Sequence, residues 1–143
     1  MSRLYDTDYH AWTRRTAADL RAGRLDAVDL CAVAEEIEDL GKSERRALES
    51  CLAQLLLYLL KWDKQPELRS VSWQVSIRKQ RRQLERILRE SPSLQACLPE
   101  LVVTAYEDAV DDAISETGLA PEMLPPVCPY SIEYIASEPL TQD

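Results

Sequence analysis

Between Leu48 and Trp62 the chain reads LESCLAQLLLYLLKW, and no other stretch constrains the fold as tightly. Leu48, Leu52, Leu55, Leu59 and Trp62 recur at intervals of three and four, the spacing of one helix face. Cys51, Leu56, Leu57, Tyr58 and Leu60 widen that face until the last turns are apolar all round. Such a helix has to be surrounded, so the rest of the chain must supply its cover. It cannot be a membrane span, because the continuous apolar run, Leu55 to Leu60, is far too short.

The flanking punctuation predicts what that cover is. Asp8 caps a first helix with the stripe Tyr5, Tyr9, Trp12, Thr16 and Leu20, ending at Gly23. Asp26 caps a second, with Leu30, Val33, Ala34 and Ile37 as its buried face. Gly41 stands where a left-handed C-terminal residue is wanted, and Ser43 starts the leucine-rich helix, which predicts a tight helical hairpin. Gln65-Pro66 ends that helix, since the residue before a proline is pushed out of the helical region.

Val71, Trp73, Val75 and Ile77 alternate as a strand would, but no second alternating segment exists to pair with them. Trp73, Ile77, Leu84, Ile87 and Leu88 continue at helical spacing, so a fourth helix is predicted over 72–90. A fifth starts at Pro92 or Ser93, bends near Pro99 and ends at Gly118. Pro121, Pro125, Pro126 and Pro129 then forbid continuous helix, leaving a tail with a short helix from Ser131. The fold class is all-α: an antiparallel bundle of four to five helices over residues 8–118, with a proline-rich tail, 119–143, packed on it in a single domain. Three glycines and no phenylalanine agree with helix over sheet, and 143 residues suffice for one core.

Several of these segments carry a resemblance. Tyr9-His10-x-Trp12, the run from Glu35 to Arg46, Leu60-Lys61-Trp62, Ser91-Pro92-Ser93-Leu94, Ala105-Tyr106-Glu107-Asp108-Ala109 and Cys128-Pro129-Tyr130 are similar to the bacterial domain-of-unknown-function family numbered 29. The resemblance implies an all-helical fold over nearly the whole chain. It brings no agreed activity, so no catalytic residue follows from it.

Cys31, Cys51, Cys97 and Cys128 include no C-x-x-C pair, which points to reduced structural thiols. With no charged n-region and apolar stretch after Met1, a cytoplasmic protein is expected, away from membranes. The net charge of −8 opposes non-specific attraction to nucleic acid or anionic lipid. The charge is nevertheless segregated: residues 61–90 hold nine Lys and Arg against four Asp and Glu, while the whole chain holds 17 against 25.

The simplest account of that segregation is an internal ion-pair lattice. Consecutive antiparallel helices would bring Arg81, Arg82, Arg86 and Arg89 level with Glu35, Glu36, Glu38 and Asp39, and Glu107 level with Arg78. A second account is nucleic-acid binding by Arg78, Lys79, Arg82, Arg86 and Arg89, with Trp62 or Trp73 stacking on a base. A third is a magnesium site built from Glu35, Glu38, Glu107 and Asp111. A di-iron centre is excluded, because it needs two Glu-x-x-His pairs and the only histidine is His10.

No serine or cysteine has partners for a triad, and no phosphate-cradling glycine loop is present. The expected function is a non-enzymatic helical interaction module working through a protein partner or as a homodimer, with no cofactor and no resident metal. The alternative is a nucleic-acid-binding protein or a metal-dependent nuclease or hydrolase. The residues singled out for binding are Trp62, Trp73, Arg78, Arg82, Arg86, Glu35, Glu38 and Glu107.

Overall fold

The computed structural model describes residues 3–142. The chain is 80% helical and contains no strand among these residues. It forms two compact units, residues 1–43 and 44–143. The helices are α1 (Leu4–Thr7), α2 (Tyr9–Arg21), α3 (Leu30–Lys64), α4 (Val71–Glu90), α5 (Leu98–Thr117) and α6 (Ile132–Ala136).

In the first unit the Asp8 side chain caps α2 by accepting from Ala11 N at 3.0 Å. Gly23, at φ 73°, turns the chain after α2, as its sequence position predicts. Trp12, Thr16, Asp19 and Ala32 are buried. The buried Asp19 carboxylate is paired with Arg24, whose Nε and Nη2 both lie 3.0 Å from Oδ1. Tyr5 meets Trp12 edge-on at 4.6 Å between ring centroids, and Tyr9 stacks on it at 5.9 Å.

The second unit is organised around residues 44–64 of α3. Leu48, Leu52, Leu55, Leu56, Leu59 and Leu60 are all fully buried, so the segment that is apolar all round is covered all round. Three contacts give the direction of α4: Ser91 Oγ donates to Glu44 at 2.5 Å, Cys51 Sγ to Gln80 O at 3.1 Å, and Arg69 Nε to Trp62 O at 2.8 Å. Rising numbers on one helix meet falling numbers on the other, so α4 is antiparallel to α3. On α5 the order is reversed, with Arg45 facing Glu100 at 3.3 Å and Lys61 facing Glu116. Thus α5 runs antiparallel to α4, and the buried alanines Ala105, Ala109 and Ala113 give it a flat face for close packing.

The proline-rich tail packs on this bundle. Leu124 and Ile135 are buried in the same core, and Ser131 caps α6 through Tyr134 N at 3.1 Å. Asp63 anchors the tail twice, accepting from Tyr130 Oη at 2.6 Å and from Thr141 Oγ1 at 3.0 Å. Burial and the Asp63 carboxylate together hold the Tyr130 phenol protonated far above the usual tyrosine range.

Several expectations about the helix ends are corrected. Gly41 ends nothing: α3 is one 35-residue helix, capped by Asp29 (Ala32 N to Oδ1, 3.1 Å) rather than by Asp26, and no hairpin forms at Ser43. Among the described residues only Gly23 and Gly118 have positive φ. A mid-helix glycine costs about 1 kcal/mol, whereas ending and restarting the helix would leave about four N–H and four C=O groups without helical partners. The strong helix formers on both sides, Glu38 to Leu40 and Lys42 to Leu48, carry the helix through. Likewise Pro92–Cys97 is a 3-10 segment, and α5 starts only at Leu98. Pro99 lies in its first turn, where a missing N–H costs nothing, and so does not bend it.

A Cβ on Gly41 would meet no atom within 4 Å, so Gly41→Ala is expected to raise stability by roughly 0.5–1 kcal/mol. Gly118, at φ 71°, ends α5 in the left-handed region, and Gly118→Ala is expected to lower stability by about 1–2 kcal/mol. Urea unfolding of the two variants distinguishes the positions; destabilisation by both would mean that α3 is broken at Gly41.

Candidate functional site

Ser70 caps α4 by accepting from Trp73 N at 3.3 Å. Ile77, Leu84 and Ile87 then point inward, which turns Val71, Val75, Arg78, Arg82, Arg86 and Arg89 outward along one exposed face. Lys79, Arg82, Gln83, Arg86 and Arg89 surround an open hollow of about 430 Å³ on this face. Its only ion pair among the described residues is the exposed one between Arg89 and Glu85, at 3.8 Å, one helical turn apart. Arg86 donates to Gln83. Arg78 and Arg82 have no carboxylate within ion-pair distance among the described residues.

The internal lattice expected from the charge segregation is therefore absent. For Glu35, Glu36, Glu38 and Asp39 its premise was a hairpin at Gly41, and that hairpin does not exist; for Glu107 and Arg78 it was the antiparallel order of α4 and α5, which does form without pairing them. On α5, Asp108, Asp111 and Asp112 border a separate hollow of about 560 Å³ with Arg46 and Glu49 of α3. Glu107 lies beside Val110, Pro121 and Pro125, next to the tail. Apolar packing, not charge pairing, sets the register. Arg81 is the exception among the α4 arginines, and it binds carbonyls rather than acids: Nε to Ile135 O at 3.1 Å and Nη2 to Tyr134 O at 2.6 Å.

The N-terminal part of α3 is a second surface. Ala32 and Glu36 lie toward the first unit's interior, while Leu30, Ile37 and Leu40 are 61%, 63% and 69% exposed, with Ala34 exposed between them. The predicted buried face Leu30, Ala34 and Ile37 is thus an outer edge; only Val33 is half-buried. Glu35, Glu38 and Asp39 are exposed on the same turns and form no ion pair among the described residues. Glu36, in contrast, accepts from both Tyr5 and Tyr9 hydroxyls. Those two donors pull its carboxyl below the usual range, and the same bond to Glu36, followed by burial, pushes Tyr5 up to about 12. Sequence reasoning placed Tyr5 and Tyr9 on one stripe but gave no sign of this shared acceptor.

Trp62 is not free to stack on a base. Trp62 is 2% exposed, donates Nε1 to Thr141 O at 2.6 Å and carries the Arg69 guanidinium 4.8 Å above its ring. Trp73, expected in the core, is only half-buried, with the Lys61 ammonium 6.0 Å from its centroid. His10 is exposed on α2. Among the described residues no group of three or more His, Cys, Asp or Glu is placed to hold a metal ion. Glu35, Glu38, Glu107 and Asp111 are not gathered into one.

The sequence matches the family described as Domain of unknown function DUF29 over residues 4–140. The chain belongs to this family. The DUF29 match covers both units and includes the tail through Leu140, so the arginine-bearing helix and the exposed α3 edge lie within it. No curated protein and no solved structure matches the chain. No helix among the described residues is long and apolar enough to cross a membrane.

The Tyr5–Glu36 bond has a pH signature. Because the folded Tyr5 value is raised above the ordinary ~10, its contribution to stability is complete below pH ~10 and is lost as pH rises through about 12. The Glu36 value is depressed, so its contribution is present above the ordinary carboxylate range and lost as pH falls through the lower folded value. In ultraviolet titrations of tyrosinate, Glu36→Gln is expected to return two phenols, Tyr5 and Tyr9, toward the ordinary range; an unchanged curve would rule the shared bonds out.

Proposed function

We propose that this chain is a non-enzymatic helical interaction module and that its partner is a second copy of itself. One observation carries the reading: three large apolar side chains, Leu30, Ile37 and Leu40, stand exposed along the N-terminal part of one long helix. The chain also presents their complement. Glu38, one turn from Ala34, borders the apolar α3 edge with an acid, while Val71 and Val75 with Arg78, Arg82 and Arg86 make the outer face of α4 apolar and basic. Neither set of charges is neutralised by ion pairs among the described residues, so an intermolecular contact between the two faces loses no internal pair.

Base stacking by Trp62 finds no support in its burial, and the net charge of −8 disfavours a polyanion away from α4. All four cysteines are free thiols and Cys31 is exposed, which suits a reducing bacterial cytoplasm.

Size-exclusion with light scattering tests the reading. The mass is expected to rise above a monomer's with concentration and to fall with added salt. Ile37→Asp should weaken association with the helical signal unchanged. Glu38→Arg and Arg82→Glu should each weaken it by roughly tenfold, and an equimolar mixture of these two variants should recover part of it. A strict monomer at all concentrations overturns the proposal, as does salt-dependent oligonucleotide binding that Arg82→Glu abolishes while Ile37→Asp leaves both it and self-association intact.

A further inference from the structure

A pocket of about 320 Å³ lies inside the second unit, walled by Leu52, Leu84, Leu88, Leu98, Val102 and Ile135. It is an apolar space at the small end of the ~300–1,000 Å³ usual for ligand sites. Its lining comes from α3, α4, α5 and α6, so the tail forms one wall. The charged group in that lining with most of its surface covered is Arg81, since Glu85 is exposed.

The guanidinium of Arg81 has donors to spare, and none of its nitrogens is both buried and unpartnered. It has five N–H donors, of which Nε and one on Nη2 serve the carbonyls of Ile135 and Tyr134. Holding the last turn of α6 explains those two and leaves the rest. No carboxylate lies within ion-pair distance of Arg81 among the described residues. The acids that bear on it are Glu85, one turn along α4, and Glu138, whose charge acts on it from the tail. Burial lowers its affinity for its own proton, the mark of a cation short of counter-charge. Arg81 also borders a neighbouring hollow with Arg78, Arg82 and Glu85.

We infer that this pocket binds a small amphipathic monoanion, a medium-chain monocarboxylate or a compound of that shape, with its apolar body among Leu84, Leu88, Leu98 and Val102 and its carboxylate on Arg81. The volume limits the body to a short chain. Glu85 and Glu138 beside the arginine make a multiply charged head such as a phosphate monoester a poorer fit than a single carboxylate. None of the residues lining the pocket is one of those named for self-association, and binding there does not depend on them.

Calorimetric titration of the full chain with octanoate, and with octanol as the same body without charge, tests this. Octanoate is expected to bind saturably at one site per chain, roughly tenfold or more tighter than octanol. Arg81→Met should bring the two affinities together. Leu88→Trp, which fills the pocket from a half-buried position, should abolish binding of both with the circular dichroism unchanged. The inference is overturned if octanoate binds the unaltered chain no more tightly than octanol, or if Leu88→Trp binds octanoate as the unaltered chain does. The first comparison needs no variant and decides the matter even where Arg81→Met fails to fold.

Discussion

An apolar helix surface that extends all the way round a cylinder is the constraint on which the second unit depends. Residues 55–62 of α3 cannot be half-solvated as an ordinary amphipathic helix can, so they need neighbours on every side. Two twenty-residue helices, α4 and α5, are not enough, and the tail completes the cover with Leu124 and Ile135. This explains why a segment with so many prolines is ordered against the bundle. Its carbonyls and hydroxyls are held by side chains at defined points, Tyr106 to Pro125 O at 2.6 Å, Arg81 to α6, and Asp63 to Tyr130 and Thr141.

How much of this could be read from the residues depended on whether a local signal and a backbone conformation coincide. At Gly23, Gln65-Pro66, Gly118 and Ser131 they do: each marks a place where the chain leaves or enters a helix, and each was legible. At Gly41 they do not. Glycine permits the left-handed conformation without requiring it, and a glycine between strong helix formers stays helical. One misread glycine propagated into the placement of the acidic cluster Glu35, Glu36, Glu38 and Asp39, because the expected hairpin was what brought these residues toward α4.

The candidate surfaces were legible in their residue types and illegible in their exposure. Leu30, Ala34 and Ile37 have the spacing of a buried face, and spacing says only that residues share a side, not that another element lies against it. The aromatic side chains of Tyr5 and Tyr9 were visible as a stripe, whereas their common acceptor Glu36 lies on α3, more than twenty residues away, and left no local signal. The same holds for Arg81. It is one of six basic residues on α4, and nothing in its sequence neighbourhood separates it from Arg78 or Arg82. Only the return of the tail over α4 makes it the one that turns toward carbonyls.

Charge placement follows from the same packing. Because α4 devotes Ile77, Leu84 and Ile87 to covering α3, its arginines are left to the outer face, and because α5 devotes its alanines to α3, its carboxylates are left to other faces. Helices that share an apolar axis in this way keep opposite charges apart within the chain. The electrostatic energy that an internal lattice would have released is then still available, and surfaces carrying it can realise it only by meeting another molecule. Exposed pairs contribute little singly, so such a contact also needs an apolar component, which Leu30, Ile37 and Leu40 on α3 and Val71 and Val75 on α4 supply.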